Sequence, residues 1–142
     1  MQKFAVPFGK EKINFELPDE QVAGVLVSHA HDYKAPKSEE ELVADALANP
    51  IGSPKLSELA KGKKTCVIIS SDHTRPVPSH VIMPQLLAEL RKGNPDIDIT
   101  ILIATGMHRP TTQEELVAKY GKEIAENEKF SIHVSRNDED MV

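Results

Sequence analysis

Hydrophobic and polar residues alternate in the first part of the chain and then take a helical spacing. FAVPFGKEKINFELP alternates on either side of Gly9-Lys10, which predicts a short β-hairpin with one buried face. The next segment, QVAGVLVSH, suits either a further short strand or a linker. SEEELVADALANP has a serine cap with Glu41 three residues later, and SPKLSELAKGK ends at Gly62, so each predicts a helix.

From Lys64 onward the pattern predicts strands and helices in alternation. TCVIIS and DITILIATG are apolar runs rich in β-branched residues, as expected for strands buried on both faces, and FSIHVS is a third strand candidate. One helical stripe is formed between the first two strands by Ile82, Leu86 and Leu90. Thr112 with Glu115 is a capping box, which predicts a second helix that runs to Lys122.

This order of elements is typical of right-handed βαβ crossovers in a parallel sheet. We therefore predict an α/β fold: a Rossmann-like three-layer domain with a mostly parallel sheet, plus a short N-terminal β-hairpin. Residues 1–62 would supply the hairpin and the first helices, and residues 63–142 a βαβαβ core that carries both site loops.

The predicted sheet indicates where a ligand would bind. In open α/β sheets, ligands bind beyond the carboxyl ends of the strands, in the loops that lead to the helices. SDHTRPVP follows the first core strand and TGMHRPTT follows the second. If these strands are neighbours, one crevice would be lined by Asp72, His73, Thr74, Arg75, His108 and Arg109.

Several of these residues also have a purely structural interpretation. Asp, Ser and Pro are common in turns, and Ser79 could cap the helix that follows. Arg75 is harder to explain in this way, because a turn needs no guanidinium whereas a carboxylate or phosphate ligand does. His108 follows Gly106-Met107 and could serve as an acid or a base near neutral pH.

Other site types have weaker support in the sequence. His29 and His31 could face the same way on a strand, but no third metal ligand is near them. Neither GxxxxGK[ST] nor GxGxxG occurs, so phosphate binding would depend on Thr74, Arg75 and helix N-termini. His80 and His133 suit ordinary structural roles.

Composition narrows the class of protein. The chain has 142 residues, which fits one core, and its net charge is −5 with basic and acidic residues intermixed, so we expect no nucleic-acid partner. A single cysteine, Cys66, lies in an apolar run, which favours core packing and a cytoplasmic location. No apolar stretch has the length of a signal peptide core or a membrane span, so we expect no membrane association.

Two segments together, SSDHTRPVPSHVIMPQLLAEL and ILIATGMHRPTTQEEL, resemble the N-terminal domain of the nickel-pincer-nucleotide lactate racemase family. The resemblance implies an isomerase that racemises or epimerises lactate or a related 2-hydroxy acid. It also implies a nickel-pincer nucleotide, Ni(II)-pyridinium-3,5-bisthiocarboxylate mononucleotide, as the cofactor. In this family one histidine takes the substrate hydroxyl proton while hydride moves from the α-carbon to the cofactor, and hydride return to the opposite face inverts the centre.

The same resemblance implies roles for individual residues. Asp72, His73, Thr74 and Arg75 match positions that contact the nucleotide, and Arg75 also matches the residue that binds the substrate carboxylate. His108 matches one of two histidines that alternate as general base and acid. No residue of this chain matches a metal ligand.

Members of that family are much longer than this chain. Their lysine tether for the cofactor, their nickel-ligand histidine and their second acid/base histidine lie in a C-terminal domain, whereas this sequence stops at RNDEDMV. We therefore expect an N-terminal domain of a longer protein, which binds no nickel and is inactive alone. Two alternatives stay open: a non-catalytic nucleotide- or anion-binding module, and a metal-dependent hydrolase that uses His29, His31, His73 or His108.

Overall fold

The computed structural model describes residues 1–137, and the chain divides into two compact units, Met1–Pro36 and one that begins at Lys37. The first unit contains an antiparallel hairpin of β1 (Gln2–Phe8) and β2 (Glu11–Leu17). Its two-residue turn has Gly9 at φ 60°, a conformation that glycine adopts without strain. The predicted hairpin is confirmed. The predicted subdivision at residue 62 stays a prediction.

The buried face expected for this hairpin is not observed. Phe4 and Phe15 stack with ring centroids 5.4 Å apart, but Val6, Phe8 and Ile13 are exposed. The alternation reflects the pleat of a strand, whereas burial needs a second layer, and Met1–Pro36 contributes only two short 3-10 helices beside the hairpin. These are Asp19–Gln21 and His29–Asp32, so His29 and His31 lie on a helical turn and not on a strand.

The second unit consists of a three-stranded parallel sheet and five helices. Its elements, in chain order, are α1 (Glu39–Ala48), α2 (Leu56–Ala60), β3 (Thr65–Ser71), α3 (Ser79–Gly93), β4 (Asp98–Ala104), α4 (Gln113–Tyr120), α5 (Lys122–Asn127) and β5 (Lys129–Ile132). The strand order is β3-β4-β5, with both pairs parallel. The predicted α/β class and parallel sheet are confirmed, and both predicted capping boxes are present, at Ser38 before α1 and at Thr112 before α4.

The core of this unit lies between the sheet and its helices. Alternate residues of β4 are fully or almost fully buried, namely Ile99, Ile101 and Ile103. The buried stripe of α3 is Met83, Leu87 and Leu90, so the predicted stripe of Ile82, Leu86 and Leu90 was shifted by one residue at its first two positions. Both stripes satisfy a 3.6-residue period, and the direction of the sheet selects between them.

Burial of the first core strand on both faces was a wrong expectation. Cys66 and Ile68 pack against the core, but Val67 is 59% exposed and Ile69 is 72% exposed. The cause is topological, because β3 is an edge strand and successive right-handed crossovers in one direction place their helices on the same face of the sheet. The third layer expected from the sequence therefore does not cover β3 within the described residues.

Two helix boundaries also differ from expectation. Ser79 is the first residue of α3 and is buried, and its side chain does not cap the helix. The helix predicted to reach Lys122 ends at Tyr120, because Gly121 has φ 86° and α5 begins after it. None of the helices in residues 1–137 is long and apolar enough to cross a membrane.

Candidate active site

The two predicted site loops begin side by side at the carboxyl edge of the sheet. β3 and β4 are neighbours, and Ser71 is paired with Ala104 in their register, so the residues that follow each strand emerge together. Across this edge His108 Nδ1 lies 2.5 Å from Asp72 Oδ2. The predicted crevice required the two strands to be neighbours, and they are. The contact between His108 and Asp72 joins the first loop to the second.

Asp72 is buried, with 2% of its surface exposed, and both of its carboxylate oxygens are engaged. The backbone N–H of Thr74 and its hydroxyl donate to Oδ1 at 3.1 and 2.7 Å, while Oδ2 faces His108. Burial disfavours the ionised form, but the hydrogen bonds from Thr74 and His108 outweigh it and lower the pKa of Asp72 to about 2. Asp72 is consequently an anion at neutral pH.

The ionised carboxylate of Asp72 determines which nitrogen of the His108 ring carries the proton in the neutral state. A carboxylate without a proton can only accept, so Nδ1 of His108 must be the donor in this pair. In the neutral ring the proton then resides on Nδ1, and Nε2 becomes the basic nitrogen. The side chain of His108 is 45% exposed, so a ligand can approach it. Its loop is a turn in which the His108 N–H donates to Thr105 O and Gly106 has φ 55°.

The guanidinium of Arg75 has no partner among the residues that the structure describes. Its backbone is held by its own N–H, which donates to Asp72 O at 3.4 Å, and by Lys119 Nζ, which donates to Arg75 O at 3.1 Å. Burial lowers the pKa of Lys119, and the attraction of Asp72 partly opposes this. Within residues 1–137 the guanidinium itself makes no hydrogen bond or ion pair, and it borders two cavities. It is therefore available to an anionic ligand.

Two cavities are lined in part by residues of the first loop. One, of about 410 Å³, is at the carboxyl edge of the strands and is lined by Ser71, Asp72, Arg75, Thr105 and His108, among others. The other, of about 380 Å³, is lined by His73, Arg75, His80, Glu115 and Lys119, among others. The first contains the acid/base pair, so we call it the edge cavity. Both volumes are in the range of small-molecule sites.

His73 and Arg109 are not part of the Asp72 network. His73 Nδ1 lies 3.4 Å from Thr111 Oγ1 and 3.5 Å from a Glu115 oxygen. Arg109 forms a bidentate pair with Glu115 at 2.6 and 2.9 Å, so its guanidinium is engaged at the start of α4. The Arg109 guanidinium and the Thr112 N–H together lower the pKa of Glu115 to about 2.

The sequence analysis overlooked four residues of this region: Ser71, Thr111, Glu115 as a partner of both His73 and Arg109, and Lys119. Only Glu115 carried a signal, since it belongs to the capping box. Ser71 has an Oγ that is inaccessible to solvent and has no hydrogen-bond partner in the described residues. Its neighbour Ser70 is different, because Tyr120 O–H donates to Ser70 Oγ at 2.7 Å.

The remaining histidines do not line the edge cavity. His29 Nδ1 pairs with Asp32 at 3.0 Å on the exposed 3-10 helix. The backbone of His133 accepts from Thr105 Oγ1 at 2.6 Å and donates to Ile103 O, as suits a structural residue. Residues 1–137 contain no group of three or more His, Cys, Asp or Glu side chains placed to hold a metal ion. The hydrolase hypothesis thus has no ligand set in this part of the chain.

Comparison with known proteins identifies the family. The profile described as the lactate racemase N-terminal domain matches residues 8–142. The chain belongs to this family. The match includes both site loops, so the resemblance carried by DHTRP and ATGMHRP is confirmed. Within the lactate racemase N-terminal domain, the roles assigned to Asp72, His73, Thr74, Arg75 and His108 stay predictions.

The similar proteins are lactate racemases, and the similarity covers part of their length. The lactate racemase of Thermoanaerobacterium thermosaccharolyticum is 53% identical over 141 residues, which are 99% of this chain and 33% of that protein. The lactate racemase of Lactiplantibacillus plantarum is 56% identical over 137 residues, 96% of this chain and 32% of that protein. The chain therefore spans about a third of the length of the curated relatives it matches.

Solved structures agree with the fold. The lactate racemase apoprotein from T. thermosaccharolyticum superposes with a TM-score of 0.81 at 50% identity, over 97% of this chain and 31% of that one. A protein from Thermotoga maritima superposes with a TM-score of 0.54 at 26% identity, over 70% of this chain and 22% of that one. The α/β architecture of the lactate racemase N-terminal domain is thereby confirmed in this chain.

Proposed function

We propose that this domain forms part of the active site of a 2-hydroxy-acid racemase or epimerase of the lactate type. The observation that carries the proposal is the contact of His108 with the buried, ionised Asp72 at the edge cavity. The relatives that match 96–99% of this chain are lactate racemases, which supports the substrate class. Cys66, the single cysteine, supports the proposal of a cytoplasmic location.

In the proposed reaction His108 acts as one acid/base. Nε2 removes the proton from the substrate hydroxyl, and the negative charge of Asp72 stabilises the imidazolium that forms. The second acid/base residue then returns a proton to the substrate oxygen when the opposite enantiomer forms, and in the reverse direction the two residues exchange these roles. General acid–base catalysis of this kind contributes roughly 10²–10⁴ in rate. Asp72 stays ionised throughout and orients the ring.

Arg75 is proposed to bind the substrate carboxylate. A guanidinium can make two parallel hydrogen bonds to a carboxylate, which fixes both its position and its orientation. Arg75, whose guanidinium has no partner in residues 1–137, lines the cavity that His108 also lines, which supports this role. A substrate held in this way would present its hydroxyl group to the acid/base pair.

The residues present fit a mononucleotide cofactor. The guanidinium of Arg75 has no partner in residues 1–137, so it can neutralise a phosphate beside Asp72, His73 and Thr74. When bound, the nickel-pincer nucleotide would supply the hydride acceptor. Since residues 1–137 offer no three-ligand group, we propose that its nickel ligands and the second acid/base residue come from the part of the longer relatives that this chain does not match.

The decisive experiment uses a full-length protein of this family that carries this domain. His108→Ala should lower lactate racemisation by at least about 10²-fold, while the amount of bound cofactor measured by absorbance and elemental analysis is unchanged. His31→Ala, on the exposed 3-10 helix, is the matched control and should keep full activity. Full activity in His108→Ala would overturn the acid/base assignment.

A non-catalytic module that binds a nucleotide or a small anion is the second candidate, because a guanidinium that has no partner in the described part of the chain, that of Arg75, suits any anionic ligand. Arg75→Ala should weaken binding under both hypotheses. Only the racemase hypothesis predicts that His108→Ala abolishes turnover and leaves binding intact, so the pair of variants separates the two functions.

A further inference from the structure

We infer that Glu115 is a positioning residue, whose carboxylate holds the ring of His108 against Asp72 through the guanidinium of Arg109. The inference deepens the proposed function and rests on it, because the ring in question is that of the proposed acid/base. It gives a role in the site to a residue of α4 that does not itself line the edge cavity.

Two adjacent rows of contacts join the site loops. In the first row, His108 of the second loop lies 2.5 Å from Asp72 of the first. In the second row, the residues that directly follow these two, Arg109 and His73, both face the carboxylate of Glu115. The Arg109 guanidinium donates to it at 2.6 and 2.9 Å, and His73 Nδ1 lies 3.5 Å from it. One carboxylate therefore contacts both loops, in each case one residue beyond the acid/base pair.

Glu115 is itself firmly placed. It is the third residue of α4, where its carboxylate accepts from the Thr112 N–H at 2.9 Å and its own N–H donates to the Thr112 hydroxyl. The Arg109 guanidinium and the Thr112 N–H lower the pKa of Glu115 to about 2, so it is an anion at neutral pH. A bidentate pair fixes the orientation of a guanidinium as well as its position. Because Arg109 directly follows His108, this pair restricts the backbone that carries the imidazole.

The charge of Glu115 is not required by the helix that it caps. A capping box accepts glutamine as well as glutamate at this position. In the other capping box of the chain, Glu41 makes no ion pair within residues 1–137, and α1 forms nonetheless. The Arg109 side chain is 59% exposed, and ion pairs of exposed side chains add little to stability. The position of His108 therefore explains the pair better than the stability of the helix does.

Glu115→Gln separates the two roles, because glutamine keeps a capping oxygen but cannot form the charged, bidentate pair with Arg109. Glu41→Gln is the matched control, since it makes the same change in the other capping box. Both variants are made in the 142-residue chain, and their thermal unfolding midpoints should differ little from each other.

The position of the imidazole is read by ¹⁵N NMR, which reports the nitrogen that carries the proton in the neutral ring. The His108 signals are assigned by comparison with His108→Ala. In the unaltered chain and in Glu41→Gln the proton should reside on Nδ1, which faces Asp72. In Glu115→Gln it should be distributed over both ring nitrogens, because the ring is no longer held against the carboxylate.

Turnover is measured in a full-length protein of this family that carries this domain. Glu115→Gln should lower kcat by on the order of 10-fold to 10²-fold, because a misplacement of about 1 Å at a reacting group can cost about 10²-fold in rate. KM for lactate should be unchanged, since the carboxylate contact proposed for Arg75 is not altered. Arg109→Gln should give the same loss, and the double variant no more than either single variant, because both act through one ion pair.

The outcomes separate this inference from the proposed function. If His108→Ala abolishes racemisation but Glu115→Gln behaves like Glu41→Gln in both assays, the inference is overturned and the proposed function stands. A fall in the midpoint of Glu115→Gln well beyond that of Glu41→Gln, with the His108 proton still on Nδ1, would show a structural residue and also overturn it. If His108→Ala keeps full activity, the proposed function fails, and the NMR comparison decides whether Glu115 holds the ring.

Discussion

At the scale of single residues, the site depends on one buried carboxylate that organises two loops. Asp72 accepts from Thr74 on its own loop and from His108 on the next, so the position of the imidazole is set by a residue 36 positions earlier. The sequence indicated both loops, because each follows an apolar strand. It could not indicate that Arg109 would pair with Glu115, since that pairing depends on the path of the loop in space.

The lowered pKa of Asp72 predicts a pH-dependent contribution to stability. Its pKa falls from 3.8 to about 2 on folding, so the stabilisation is fully present above about pH 4 and is lost as the pH falls toward 2. Asp72→Asn should therefore lower the free energy of unfolding by on the order of 2 kcal/mol near pH 6 and by much less near pH 2. Urea unfolding at both pH values measures this.

A matched control for that measurement is Asp96→Asn. Asp96 is exposed, and its carboxylate makes no hydrogen bond or ion pair in residues 1–137. Its substitution should change the free energy of unfolding by a similar small amount at both pH values. A difference between the wild-type protein and Asp72→Asn that is equally large near pH 2 would contradict the assignment of an ionised Asp72.

At the scale of elements, periodicity predicted the strands and helices but not the faces they bury. The run TCVIIS predicts a strand buried on both sides, because a continuous apolar run has no polar face. Which face receives the helices depends on strand order and crossover direction, and these place Val67 and Ile69 outside the core. The one-residue shift in α3 has the same origin. Two apolar stripes of this helix satisfy the helical period, and the position of the sheet decides which of them is buried.

The unequal faces of the sheet predict unequal costs of mutation. Ile101 is completely buried, so Ile101→Ala should lower the free energy of unfolding by about 2–5 kcal/mol. Ile69 is 72% exposed on β3, and Ile69→Ala should change it by less than about 0.5 kcal/mol. Urea unfolding of both variants gives the comparison. If Ile101→Ala does not fold, Ile101→Val should still cost about 0.5–1.5 kcal/mol.

Equal costs at the two positions would contradict this description of the sheet. A large cost at Ile69 in the 142-residue chain would mean that its side chain is covered in solution, for example by a second copy. Sedimentation of the same samples separates that cause from a change in the fold, because self-association makes the stability of a variant depend on protein concentration.

At the scale of the whole molecule, inversion of a carbon centre requires chemistry on both of its faces. The edge cavity of this chain is lined by one histidine among the described residues, His108, and the chain spans about a third of the relatives named lactate racemases. These observations support the proposal that one wall of the site lies here. The sequence could not predict the opposite wall, because nothing in these loops identifies the residues that would face His108 and Arg75 across the site.

We accordingly predict that the 142-residue chain alone does not interconvert the enantiomers of lactate. The chain is to be produced in a host in which the L. plantarum lactate racemase is obtained in active form, which serves as the positive control, and both enantiomers are then followed by chiral chromatography. His108 and Arg75 could bind and deprotonate a substrate, but no second acid/base group faces them from the described residues of the edge cavity. Racemisation by the isolated chain that is abolished in His108→Ala would mean that this domain holds a complete site.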